Sequence, residues 1–182
     1  HEEFNRADNL EKDRKNTVGF ALTILQRRLA SSPEAIYQSL KRRRERLEGR
    51  LAEERLGRRG AEYSSVYYDD FDDDDLPSAE LEDEEEKVVD QATAARTITE
   101  LEAEITTLKK LERMANDVRQ SGEDRKWSEL SKLLQDNDSM FGAEGEREKL
   151  IIFTEHRDTL RYLQSKISSL LGSEDAVVTI HG

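Results

Sequence analysis

Over residues 17–56 and 87–120 the apolar residues of this chain recur at helical spacing, and only beyond Lys149 do they gather into short unbroken runs. That pattern commits most of the length to amphipathic helices and leaves room for strands only near the end. Apolar residues make up 35% of the 182 and charged residues 38%. So little apolar surface favours long, solvent-washed helices and an extended shape over one large core.

The first stripe runs through Val18, Leu22, Leu25 and Leu29, widened by Phe20 and Ile24, and predicts a helix over 17–30. Ser31-Ser32-Pro33-Glu34 then supplies capping hydroxyls, a first-turn proline and a glutamate three residues after Ser31. These mark a new helix start. The second helix carries Ile36, Leu40, Leu47 and Leu51 to about Leu56, before Gly57 and Gly60. Residues 1–57 therefore read as a helical connector or arm, either a hairpin or an extended rod.

Charge divides the chain more sharply than hydropathy does. The formal net charge is -12, but residues 1–60 carry +5, residues 61–91 carry -13 and residues 92–182 carry -4. The run from Asp69 to Asp75 and the acids from Glu82 to Glu86 repel one another and bring few apolar groups to offset the entropy of ordering. Residues 58–86 are predicted to be a flexible acidic linker, a solvated spacer in the simplest case and a docking tail for basic or histone-like partners, or for the chain itself, in the other. A long helix from 87 to 120 should follow, with Ile98, Leu101, Ile105 and Leu108 facing a neighbouring helix and Ser121-Gly122 ending it. A short helix over 124–134 buries Trp127, Leu130, Leu133 and Leu134, closing a unit that spans 87–135. Residues 136–148 are a polar loop.

Leu150-Ile151-Ile152-Phe153 and Ala176-Val177-Val178-Thr179-Ile180 are continuous apolar runs flanking a helical stripe of Leu160, Leu163, Ile167 and Leu170 that Gly172 ends. Strand, helix, strand predicts a parallel βαβ unit over 149–182, with strands meant to be covered on both faces. The fold class expected is thus mainly α, with a small C-terminal parallel βαβ unit whose remaining strands lie elsewhere. The absence of an initiator Met before His1 and the stop at His181-Gly182 after an apolar run fit cuts through a longer polypeptide.

In a parallel sheet ligands bind at the carboxyl ends of the strands. That edge would carry Thr154, Glu155, His156 and Arg157, and also His181-Gly182. A hydroxyl, an imidazole and a guanidinium beside free amides suit a nucleic-acid phosphate, although a histidine at a helix start more often serves as a cap. Arg42, Arg43 and Arg44, with Lys41, Arg46, Arg50 and the preceding Arg27-Arg28, form a basic cluster able to attract phosphates. The plainer reading is a solvated helix face threaded with Glu45 and Glu48. Cysteine is absent and the three histidines are scattered, so no metal site is expected. The chain has no phosphate-loop motif, no serine or cysteine nucleophile motif and no zinc-protease motif. No catalytic residue is assigned. No membrane span or secretory pattern is present, and a soluble cytoplasmic location is the expectation.

Lys149-Leu-Ile-Ile-Phe-Thr-Glu-His-Arg-Asp-Thr-Leu160 resembles motif IV of superfamily-two helicases in the Swi/Snf-like bacterial branch. The Val-Val-Thr-Ile-His-Gly ending resembles the next strand of the same lobe. Asp124-Arg-Lys-Trp-Ser-Glu-Leu-Ser-Lys-Leu-Leu134 is similar to the short helix before that motif, and residues 16–33 are similar to the connector that follows the first lobe. The acidic tract matches nothing in the family. The resemblance implies a parent that couples ATP hydrolysis, with Mg, to movement along double-stranded DNA between two RecA-like lobes. This chain would supply the inter-lobe helical connector and the start of the second lobe. It would place Thr154, Glu155, His156 and Arg157 near the DNA backbone, the missing first lobe among the partners, and the parent at the bacterial nucleoid. Without ATP-binding motifs the chain should be inactive alone. The alternative is a helical adaptor or scaffold that binds partner helices, and exposed helix faces or strand edges give either one a route to a homodimer.

Overall fold

A computed structural model describes residues 2–56, 78–93, 95, 97–136, 140–142 and 144–180. The described residues form helices α1 (Glu2–Ser31), α2 (Pro33–Arg55), α3 (Ser78–Gln91), α4 (Ile98–Ser121), α5 (Arg125–Gln135) and α6 (Arg157–Leu171), followed by a 3-10 turn at Glu174–Ala176. At a rise of 1.5 Å per residue α1 spans about 45 Å, so the arm expected from the first stripe is present and begins well before Thr17.

The break between α1 and α2 comes from one dipeptide. Pro33 disfavours helical backbone in the residue before it, and Ser32 is extended, with φ -158° and ψ 157°. Its hydroxyl accepts a hydrogen bond from the Ala35 amide at 3.1 Å, which satisfies one of the open N–H groups of α2. Thr97 does the same for α4. Its side chain accepts from the Glu100 amide while Glu100 returns to the Thr97 amide, a reciprocal capping pair that starts a new helix within the predicted 87–120 helix. The predicted single helix is therefore the end of α3 followed by α4. Of the predicted linker, residues 58–77 lie outside the described residues, but residues 78–86 are helical, with Glu82 and Glu85 buried.

Three apolar layers hold the body. Ile36, Leu40 and Leu47 of α2 interlock with Leu101, Ile105 and Leu108 of α4, the most extensive helix pairing among the described residues. Ala21 and Ile24 of α1 meet Val88, Val89 and Ala92 at the end of α3. Leu134 of α5, Met140 and Ile167 of α6 form the third layer, flanked by Trp127, Leu130, Leu163 and Leu170.

The expected βαβ unit is not formed. Among the described residues there is no strand, and the one β-type pairing is an isolated antiparallel bridge between Phe141 and Arg147. Residues 150–153 and 177–180 lie in no strand or bridge. Ile151 is 76% exposed, Phe153 91% and Ile180 91%. The stripe of α6, which was to cover a sheet, packs instead on α5 and Met140. A strand needs a partner backbone to satisfy its N–H and C=O groups, and the described chain offers these runs none. The expectation of a partial RecA-like lobe with its own parallel sheet is corrected accordingly.

The packing predicts a graded response to truncation. Leu47→Ala, at 1% exposure, should lower unfolding free energy by about 2–5 kcal/mol, whereas Leu111→Ala, at 41%, should cost under about 1 kcal/mol, both read from urea unfolding.

Candidate functional site

The first turn of α6 is both buried and polar. His156 is the N-cap, extended at φ -110° and ψ 134°, and its side chain makes no capping hydrogen bond. It is 2% exposed. Burial first, then the positive charges of Arg28 and Arg27, push its imidazole down from 6.5 to about 4, opposed by Asp158. His156 is therefore neutral at pH 7, and its Nε2 has no hydrogen-bond partner. Beside it, Thr159 is buried with its hydroxyl 2.7 Å from that of Ser31 and 2.8 Å from that of Ser32.

Helix α3 faces this turn with four acids. The Glu82 carboxylate accepts the Arg157 backbone N–H at 3.0 Å on both oxygens, and also the Arg157 Nε at 3.0 Å. Asp83 accepts from the other end of the same guanidinium. Glu85 accepts from Arg27 at 2.6 Å. Glu86 lies 2.9 Å from Arg42 and 3.4 Å from Arg28. Glu82 and Glu85 are each only 5% exposed, so these are not loose surface pairs. Arg28, 1% exposed, donates to Ser39 at 2.7 Å, while its Nε and Nη2 are buried without partners.

The structure gathers only part of the predicted phosphate-binding set. Thr154, Glu155, His156 and Arg157 lie together at the start of α6, with Glu155 exposed and paired to Arg27. Arg42 joins them through Asp158, at 2.9 Å, and Glu86. Arg43 and Arg44 turn elsewhere. Arg43 is buried and bridges the Val89 carbonyl and Glu104, and Arg44 is held between Glu112 and Glu48, whose hydrogen bonds raise its pKa. Both fasten α2 to its neighbours, and a phosphate would have to displace a carboxylate to reach them. The solvated helix face of the plainer reading does not describe Arg43, which is buried, although Arg44 does pair with Glu45 and Glu48 as that reading has it. His181-Gly182 lies outside the described residues.

The residues that sequence reasoning did not assign to the site are Ser32, Thr159 and the acids of α3. Only the charge imbalance between 1–60 and 61–91 pointed to them. The resemblance implies ATP and Mg in the parent, and the residues described here do not fit either. The sequence lacks a phosphate loop, and among the described residues no group of three His, Asp or Glu could hold a metal ion. Among them, too, no helix is long and apolar enough to cross a membrane. The chain matches no family model, and no curated protein or solved structure matches it significantly.

The buried imidazole sets a pH response. The unfolded state takes up a proton below 6.5 that the folded state refuses until about 4, so stability should fall across that window, by about 3 kcal/mol from this group. His156→Gln should flatten that part of the profile in urea unfolding measured at a series of pH values. An unchanged slope would show that the imidazole titrates freely.

Proposed function

We propose that this chain is the inter-lobe helical connector of an ATP-dependent DNA helicase or translocase of the Swi/Snf-like type, and that its contribution is mechanical. One observation carries this reading. The three segments that resemble the family, residues 16–33, 124–134 and 149–160, are far apart in sequence and converge on one corner. Ser31 and Ser32 share hydrogen bonds with Thr159, and Lys126 Nζ donates to the Ala30 carbonyl at 2.5 Å. Asp124 caps α5 by accepting the Trp127 amide, and its second oxygen accepts the Tyr162 hydroxyl of α6 at 2.9 Å. Burial and that hydrogen bond both hold the Tyr162 pKa well above its usual value, so the phenol stays a donor. A corner built this way ties the two-helix arm to the segment that resembles motif IV. Motion of one is then passed to the other as displacement of packed helices.

A second reading, the helical adaptor, is favoured by the outer face of α4. Leu111, Met114 and Val118 follow one another along that face and are 41–54% exposed. An apolar stripe of this spacing suits a partner helix.

The test uses the intact polypeptide that carries this chain. Under the motor reading it hydrolyses ATP faster when duplex DNA is added. The double variant Ser32→Ala, Thr159→Val should retain basal hydrolysis and lose most of the DNA stimulation. Absence of DNA-stimulated hydrolysis in the wild type would overturn the motor reading in favour of the adaptor.

A further inference from the structure

The start of α6 has the composition of an anion site, and its present occupant is a carboxylate of the same chain. Free N–H groups at a helix N-terminus attract anions. Here the Arg157 N–H is taken by Glu82 through both oxygens, with the Arg157 guanidinium closing on the same carboxylate. Arg27, Arg28 and Arg42 are matched to the following acids of α3, Glu85 and Glu86. Four arginines thus converge where one helix begins.

A second feature, carried by Arg28 of α1, points to a ligand independently of that helix end. Arg28 is 1% exposed and His156 2%, and Arg28 Nε, Arg28 Nη2 and His156 Nε2 are buried without a hydrogen-bond partner, His156 Nε2 lying 3.7 Å from a Glu155 carboxylate oxygen. A buried guanidinium with two unused N–H bearing nitrogens is costly, and an oxyanion with more acceptor atoms than a carboxylate would relieve it. Glu82 and Glu86 offer two oxygens each; inorganic phosphate offers more at one point, and a phosphodiester, which matches a carboxylate in charged oxygens, brings neighbouring phosphates of the same strand to the other arginines.

We propose that the α6 N-terminus, with Arg157, Arg28, Arg27 and Arg42, is a binding site for a phosphate-class anion, and that α3 occupies it as an internal mimic that the true ligand displaces. The acidic tract then acts as a built-in competitor. It keeps the site closed to weak anions and yields to a ligand that engages all four guanidiniums. Two sources carry this chemistry, inorganic phosphate and the phosphodiester of duplex DNA. The DNA arm rests on the motor reading, and the phosphate arm does not.

The test compares the wild-type chain with the near-isosteric variant Glu82→Gln, Asp83→Asn, Glu85→Gln, Glu86→Gln. A charge-matched control carries Glu53→Gln, Asp117→Asn, Glu123→Gln and Glu144→Gln, all at exposed positions. Inorganic phosphate is titrated by calorimetry and a fluorescent duplex by anisotropy. The α3 variant should bind at least one of the two about tenfold or more tightly than the wild type and the control, and adding Arg157→Gln should erase the gain. Gain with both probes or with duplex alone assigns a phosphodiester, and gain with phosphate alone assigns a free anion. Affinity no better than the control, or a gain that survives Arg157→Gln, overturns the site. Circular dichroism monitors folding. If the fourfold variant unfolds, Glu82→Gln alone is measured in the same way, and loss of the fold there too shows that the acid is structural and overturns displacement.

Discussion

The pairing of the acidic helix α3 with the arginines of α1, α2 and α6 is the interaction on which the rest of the structure depends. Isolated exposed ion pairs contribute little, at most about 1 kcal/mol each, but removing one partner of a buried pair leaves an uncompensated charge and costs several times that. Here Glu82, Glu85, Arg28 and Arg43 are all nearly inaccessible. The pairs therefore act less as glue than as a condition: α1, α2, α3 and α6 can come together only in the arrangement that neutralises them.

That condition explains how so apolar-poor a chain folds at all. The three apolar layers are small, with Leu25 packed against both of the first two, and each joins only a few elements. Between the first two layers lies Arg43, which reaches from α2 to the Val89 carbonyl of α3 and to Glu104 of α4. Between α1 and α6 lie the hydroxyls of Ser31, Ser32 and Thr159. Polar joints occupy the places where a larger protein would continue its core. They demand specific partners, so they fix the geometry of the corner at Ser32-Pro33 more narrowly than apolar contact would.

Much of this was legible in the residues. Ser31-Ser32-Pro33 marked the helix break, Ser121-Gly122 the end of α4 and Gly172 the end of α6, because caps and left-handed glycines are local signals; Gly122 and Gly172 have φ of 73° and 68°. Leu101, Ile105 and Leu108 of the predicted stripe do lie on the face that meets another helix, whereas Ile98 at its start is 40% exposed. What escaped was non-local. Glu82 to Glu86 look self-repelling along the sequence, and the arginines that neutralise them lie some forty to seventy-five residues away. The cap at Thr97 is hidden inside a continuous helical stripe. Residues 150–153 and 177–180 carry a strand pattern, but pairing depends on a partner backbone that pattern cannot supply. The candidate site was half legible for the same reason. Thr154 to Arg157 could be picked out at a helix start, whereas Thr159, Ser32 and the carboxylates that close the site are set by tertiary packing.

The order of α3 is the most direct measure of this account, since a helix so acidic stands only while its basic partners hold it. Amide hydrogen exchange resolved over residues 82–89, at low and at high salt, reads that order. The account predicts protection approaching that of α4 at low salt, with a selective loss over 82–89 as salt screens the more exposed pairs while α4 stays protected. Exchange over 82–89 at the rate of an unstructured chain at low salt would contradict it.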